Sequence, residues 1–70
     1  MIVIKKRSVM IRGRRTSVSM EDTFWDYLVK HCEVSETTIS RTLERIESRK
    51  PEGQGLSSAI RVFCMQEATR

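Results

Sequence analysis

The sequence is poor in the side chains that build metal and catalytic centres. It has one histidine, His31, and two cysteines, Cys32 and Cys64, with no CxxC pair and no fourth ligand. A glycine-rich phosphate loop is also missing, and no nucleophile stands beside a recognisable base. We therefore predict no metal, no cofactor and no catalytic residue, and we expect both thiols to pack in the core.

Long apolar runs are absent as well. The apolar start Met1–Ile4 runs directly into Lys5, Lys6 and Arg7, which makes it far too short for the apolar region of a secretory signal. No run approaches the length that spans a bilayer. The sequence thus predicts a cytoplasmic protein with reduced thiols and no membrane contact.

The chain has 70 residues, of which 39% are hydrophobic, so it predicts one domain with a small core. A single chain of this size buries little apolar surface. Association with a second copy is therefore an expected source of stability.

Acidic residues are missing from the first 20 positions. That segment carries a charge of +6, whereas the rest of the chain sums to −2. Such a split predicts a surface that binds a polyanion. The simpler alternative is a solvated basic tail without a partner. An anionic membrane is less favoured, because the segment has no helical apolar stripe.

The segment Arg15–Met20 alternates in polarity. Its inward set would be Thr16, Val18 and Met20, and its outward set is polar and basic. A period of two predicts a β-strand with one apolar face. The outward residues, which could contact base edges in DNA, are Arg15, Ser17 and Ser19. Because helices are predicted after it, this strand needs a partner, and the same strand of a second copy is the simplest one. Two paired strands fit the major groove of DNA.

Residues 1–14 allow two interpretations. In the first, which we favour, they form an extended basic arm that becomes ordered on binding, and residues 15–70 form the domain. In the second, Ser8–Ile11 is a strand, and the segment Arg12–Arg14 turns the chain back into the next strand. In either case the basic side chains are candidates for contacts to DNA phosphates. These residues are Lys5, Lys6, Arg7, Arg12 and Arg14.

Helical spacing of apolar residues replaces alternation after Glu21. A first helix is predicted over about 22–35. A second helix follows a cap at Thr37 or Thr38, and its polar side reads as an ordinary solvated face. Proline and two glycines predict a loop over 50–55, and a third helix, with Ser57 as its N-cap, is predicted over about 56–68.

Four segments together carry a resemblance to known proteins: Lys6–Val9, Arg15–Asp22, Phe24–Asp26 and Leu56–Phe63. They resemble the ribbon-helix-helix proteins, the group of the Arc and methionine repressors, and in particular a bacterial subgroup of unassigned function. The resemblance implies an intertwined homodimer in which one strand of each chain pairs antiparallel. It places the outward side chains Arg15, Ser17 and Ser19 in the major groove and a DNA phosphate at Thr38 and Ile39. The core of the dimer would contain Val18, Met20, Phe24, Leu28, Ile39, Leu43 and Ile46.

Two features depart from that pattern. The family usually carries glycine in the turn before its second helix, where this chain has Glu36 and Thr37. The third helix is an addition that could cover the core or bind a protein. The predicted function is a sequence-specific DNA-binding transcriptional regulator that acts as a homodimer in the nucleoid. The alternative is an antitoxin-like or adaptor module that binds a protein through its third helix. Only about ten residues follow Ile60, so a wrapped toxin is the less favoured partner.

Overall fold

The computed structural model describes residues 3–70, which form two strands followed by three helices. Strand β1 comprises Ile4–Ile11 and strand β2 comprises Arg14–Glu21. The helices are α1 (Asp22–Val34), α2 (Ile39–Arg49) and α3 (Leu56–Ala68). The helix boundaries agree with the expectations from sequence to within one or two residues.

The two strands form an antiparallel hairpin within one chain. Arg12 and Gly13 connect them, with φ angles of 51° and 77°. Positive φ at both central residues is what a type I′ turn requires, and the twist of that turn matches the twist of paired strands. The turn brings Ile11 opposite Arg14 and starts the register.

This hairpin corrects two expectations. The favoured extended arm over residues 1–14 is wrong for residues 4–14, and the alternative strand and turn are confirmed, with β1 longer than expected. Residues 1 and 2 lie outside the described part of the chain. Within the chain, Arg15–Met20 pairs with β1, so the strand has a partner without a second copy, because a two-residue turn closes a local pairing at little entropic cost.

The helices cover one face of the hairpin. In β2 the inward residues Val18 and Met20 are buried, as predicted, and β1 contributes Ile11. Leu28 and Cys32 of α1, and Leu43 and Ile46 of α2, complete the centre of this core. The seven residues assigned to a dimer core, including the partly buried Phe24 and Ile39, therefore pack together within one chain.

Helix α3 packs against β2, α1 and α2 and completes the core. Ala59, Ile60 and Cys64 are buried in it, whereas Val62 and Met65 on its outer side are about half exposed. Burial raises the pKa of the Cys64 thiol to about 11, with a smaller contribution from Cys32. Both thiols are free and buried, and Cys32 Sγ lies 3.3 Å from Thr42 Oγ1.

The helix caps confirm one expectation and correct another. Thr38 caps α2, because its Oγ1 accepts a hydrogen bond from the backbone N–H of Arg41 at 3.1 Å. Gly55, and not Ser57, is the N-cap of α3. The Ser57 hydroxyl instead accepts a hydrogen bond from the backbone N–H of Ser19 at 3.2 Å, so tertiary packing uses the side chain that was assigned to the cap.

Candidate nucleic-acid interface

The hairpin has one face turned away from the helices. Directly opposed residues of antiparallel strands lie on the same face, so the register decides which side chains of β1 and β2 stand together. Ser8 lies opposite Ser17, Lys6 opposite Ser19, and Met10 opposite Arg15. All six side chains are exposed. They form a surface that we call the outer face: Lys6, Ser8, Met10, Arg15, Ser17 and Ser19.

The three residues assigned to base contacts, Arg15, Ser17 and Ser19, all belong to the outer face. Their neighbours from β1 add a lysine, a serine and a methionine, which sequence reasoning did not place there. The outer face carries two positive charges. Ile4 and Glu21 continue the same side of the hairpin, where Glu21 is paired with Arg61. A guanidinium and several hydroxyl groups on one exposed ribbon provide donors and acceptors of the kind that contact base edges.

The five basic residues assigned to phosphate contacts are divided among three places. Lys6 lies on the outer face, and Arg12 and Arg14 stand exposed at the hairpin turn and next to it. Lys5 and Arg7 lie on the opposite face, where each forms an ion pair with Asp22. The structure therefore does not bring the basic cluster of the sequence together on one surface.

Arg7 is held firmly by its surroundings. Its guanidinium donates hydrogen bonds to an Asp22 carboxylate oxygen and to the backbone carbonyl of Met20, and it lies 5.4 Å from the centroid of the Trp25 ring. Only 17% of its side chain is exposed. Hydrogen bonds from Arg7 and then from Lys5 hold the pKa of the Asp22 carboxyl below its usual value. Arg7 thus connects β1 to the start of α1.

The free edge of β2 is partly covered by α3. The Ser19 N–H donates to Ser57 Oγ, and the Ser19 carbonyl accepts from Arg61 Nη2 at 3.5 Å. Arg61 also pairs with Glu21, and this hydrogen bond lowers the pKa of the Glu21 carboxyl. Both backbone groups of Ser19 therefore point away from β1.

The backbone groups of the other residues along the β2 edge follow from those of Ser19. Backbone groups of every second residue point the same way along a strand, so those of Ser17 and Arg15 also point away from β1. No hydrogen bond to these groups occurs within residues 3–70. This two-residue stretch of edge is open, and β1 offers a second open edge at Ser8, which lies directly opposite Ser17.

The start of α2 is the candidate phosphate contact from the sequence. Thr38 caps the helix and Ile39 is its first residue. The N–H of Arg41 already donates to the Thr38 hydroxyl, which leaves the N–H groups ahead of it as the candidate phosphate donors. Glu36 adopts a φ of 55°, in the left-handed region that favours glycine. Glycine would adopt this conformation without strain, whereas Glu36 places a carboxylate two residues before the cap.

The part of the chain that the structure describes offers little to other site classes. No group of three or more His, Cys, Asp or Glu residues is arranged to hold a metal ion there. None of the three helices combines the length and the hydropathy that crossing a bilayer requires.

A family model described as a ribbon-helix-helix domain matches residues 4–68. The chain belongs to the ribbon-helix-helix family. Neither the curated proteins nor the solved structures gave a match.

The family confirms the fold class predicted from the sequence, a ribbon-helix-helix domain with an additional C-terminal helix. Such domains generally act as DNA-binding transcription regulators or antitoxins, typically without enzymatic activity, and they usually bind DNA as dimers.

Proposed function

We propose that this ribbon-helix-helix protein is a sequence-specific transcriptional regulator that inserts the outer face of its hairpin into the major groove of DNA. The outer face carries the proposal: it is an exposed ribbon of hydroxyl and basic groups around Met10, on the side away from the helices. Glu21 continues the same side of the hairpin, but its charge is paired with Arg61. Arg15 reads a guanine through its O6 and N7 atoms, and Ser17 and Ser19 contact neighbouring base edges. The site of action is the nucleoid.

The phosphate contacts of this proposal come from exposed groups only. Lys6 on the outer face, Arg12 and Arg14 at the turn, and the backbone at Thr38 and Ile39 neutralise or bind phosphates without reading sequence. Lys5 and Arg7 have only a small part in it, because their charged groups are already paired with Asp22.

We further propose that the active form is a homodimer joined through the open edge of β2. An antiparallel, two-fold register that opposes Arg15 to Ser17 of the partner subunit uses the two open residues of each edge. It leaves Ser19 in contact with α3. Four strands would then span about 14 Å between the outermost ones, since neighbouring strands are about 4.8 Å apart. The major groove is about 12 Å wide, so the central β2 pair enters it and Lys6 of each β1 stands at its phosphate walls.

A pair of proline substitutions tests the dimer. Ser17→Pro removes a backbone N–H that points out from the β2 edge, and Ser8→Pro removes the equivalent N–H at the β1 edge. Neither N–H takes part in the hydrogen bonds between β1 and β2. We expect the unmodified protein to sediment at twice its 8.2 kDa chain mass. Ser17→Pro should give a folded monomer and Ser8→Pro a dimer, with circular dichroism to check folding. The opposite result would move the interface to β1, and a monomeric unmodified protein would remove the dimer altogether.

The DNA contact is tested by comparing Arg15→Ala with Lys6→Ala. Both changes remove one positive charge from the outer face. If Arg15 reads a guanine, its loss should cost about 1–3 kcal/mol on a site selected from random duplexes and should relax preference at one base pair. Lys6→Ala should weaken binding to all sequences and reduce the salt slope by about one. Uniform loss in both variants would assign Arg15 to phosphate, and unchanged binding in both would refute the proposal.

The second candidate function is a protein-interaction module, and the outer side of α3 favours it. Val62 and Met65 are exposed there. A groove of about 420 Å³ between α2 and α3 has Pro51, Phe63 and Val62 in its lining. A gel-shift assay of the unmodified protein with random duplex DNA, repeated at rising salt concentration, separates the two functions. An interaction module without DNA binding would shift no DNA even at low salt.

A further inference from the structure

Three arginines of α2 share one wall of a cleft. Arg41, Arg45 and Arg49 follow one another at intervals of four residues, so they lie on one side of the helix, one turn apart. The cleft has a volume of about 580 Å³. Its other walls come from α1, from α3 and from residues that follow each of these helices, and they include His31, Phe63, Glu67 and Arg70. No residue of the hairpin lines it.

The acidic residues of α2 do not balance these arginines. Glu44 would be the natural partner on the solvated face of the sequence, but its carboxylate accepts a hydrogen bond from the backbone N–H of Arg12 at 2.9 Å and so turns to the hairpin. Within residues 3–70, no ion pair involves any of the three arginines. Fold packing thus turns Glu44 away from the arginines, and Glu47, the other acidic residue of α2, forms no ion pair with them within residues 3–70.

The one acidic residue in the cleft lining is already engaged. Glu67 pairs with Arg70 at 3.2 Å, so their charges offset each other and the cleft keeps the positive charge of the α2 arginines. Like charges four residues apart on a helix repel, and a bound anion relieves that repulsion. Arginine side chains bind phosphate oxygens with two parallel hydrogen bonds, which favours phosphate over smaller anions.

We propose that this cleft is a second site, which binds a ligand carrying two or more phosphate groups along Arg41, Arg45 and Arg49. Its volume is within the range of small-molecule sites, and its polar, open lining suits a hydrated polyanion. His31 forms the wall opposite α2. Its ring makes an edge contact with the Phe63 ring, with centroids 5.2 Å apart, and stacks on the Tyr27 ring, with centroids 6.2 Å apart. The ligand is a free polyphosphate compound or the backbone of a nucleic acid, which share this chemistry.

Inorganic triphosphate is the probe that tests the site. Isothermal titration of the full chain should show binding. Arg45→Ala and Arg49→Ala should each weaken it about tenfold or more, in line with hydrogen bonds between charged groups. Lys30→Ala is the control, because it removes one positive charge from an exposed position of α1, outside the cleft lining, and it should leave triphosphate binding unchanged. Circular dichroism confirms that each variant is folded.

Duplex DNA distinguishes the two sources of phosphate. If triphosphate binds and the cleft variants retain full duplex affinity, the site belongs to a free polyphosphate. If the cleft variants lose affinity for all duplexes and triphosphate competes with DNA, the site holds the nucleic-acid backbone. Absence of triphosphate binding at millimolar concentration, or binding that Arg45→Ala and Arg49→Ala leave unchanged, would overturn the proposal.

Discussion

Replacing Ile60 with alanine tests whether α3 is part of the hydrophobic core. Ile60 is completely buried and is flanked by Ala59 and Cys64, which are also buried. Truncating a buried isoleucine to alanine removes its transfer free energy and leaves a cavity, and together these cost about 2–5 kcal/mol. A chain of this length is stable by only about 3.5–10 kcal/mol. The substitution should therefore remove a large share of the free energy of unfolding.

Val62→Ala is the matched control. It truncates another β-branched residue on the same helix, two positions away, but 47% of Val62 is exposed. A surface change of this kind usually alters stability by no more than about 0.5 kcal/mol. Comparing the two variants separates the loss of stability caused by removing buried side-chain volume from any change caused by helix propensity.

Urea denaturation followed by circular dichroism measures both free energies. Each variant should be measured at two protein concentrations, because association of subunits makes the midpoint depend on concentration. A loss below about 1 kcal/mol for Ile60→Ala, similar to that of Val62→Ala, would refute the assignment of α3 to the core. It would then favour a helix that is available to a protein partner.

Three further predictions concern the turn before α2, an acidic residue and a thiol. Glu36→Gly should raise the free energy of unfolding by about 1 kcal/mol, because it relieves a left-handed backbone, whereas Glu36→Ala should give no such gain in the same urea assay. Because contacts with Arg7 and Lys5 lower the folded-state pKa of Asp22, its stabilising effect is fully present above the unfolded-state pKa near 3.8 and is lost as the pH falls through the folded-state value. Asp22→Asn should therefore flatten the acid limb of a stability–pH curve, and an unchanged curve would contradict this ion pair. Cys64, with its pKa raised to about 11, should react with a thiol reagent at pH 8 far more slowly in the native protein than in urea; equal rates would contradict its burial.

Local patterns in the sequence determined the helices and the faces of β2. Alternation from Arg15 to Met20 was enough to place Val18 and Met20 inward and Arg15, Ser17 and Ser19 outward, because a strand has a side-chain period of two. Helical spacing and the Pro and Gly residues near position 53 determined the helices and the loop before α3 in the same way.

The strand β1 was harder to recognise because its inward residues are not all apolar. Lys5 and Arg7 lie on the face of β1 that is turned toward the helices. Both form ion pairs with Asp22, and Arg7 also lies over the Trp25 ring. A charged residue at an inward position hides the alternation that signals a strand. Only the tertiary structure shows the carboxylate and the aromatic ring that make this position acceptable.

The tertiary structure also decided which polar side chains meet. Ser57 follows the pattern of a helix cap, yet it binds the edge of β2, 38 residues away. Glu44 and the arginines of α2 share one helix in the sequence, but the fold turns the carboxylate to the hairpin and leaves the guanidinium groups around the cleft. The sequence by itself determined elements and faces, because those depend on neighbours a few positions apart. Partners depended on the packing of distant segments, and only the assembled fold decided them.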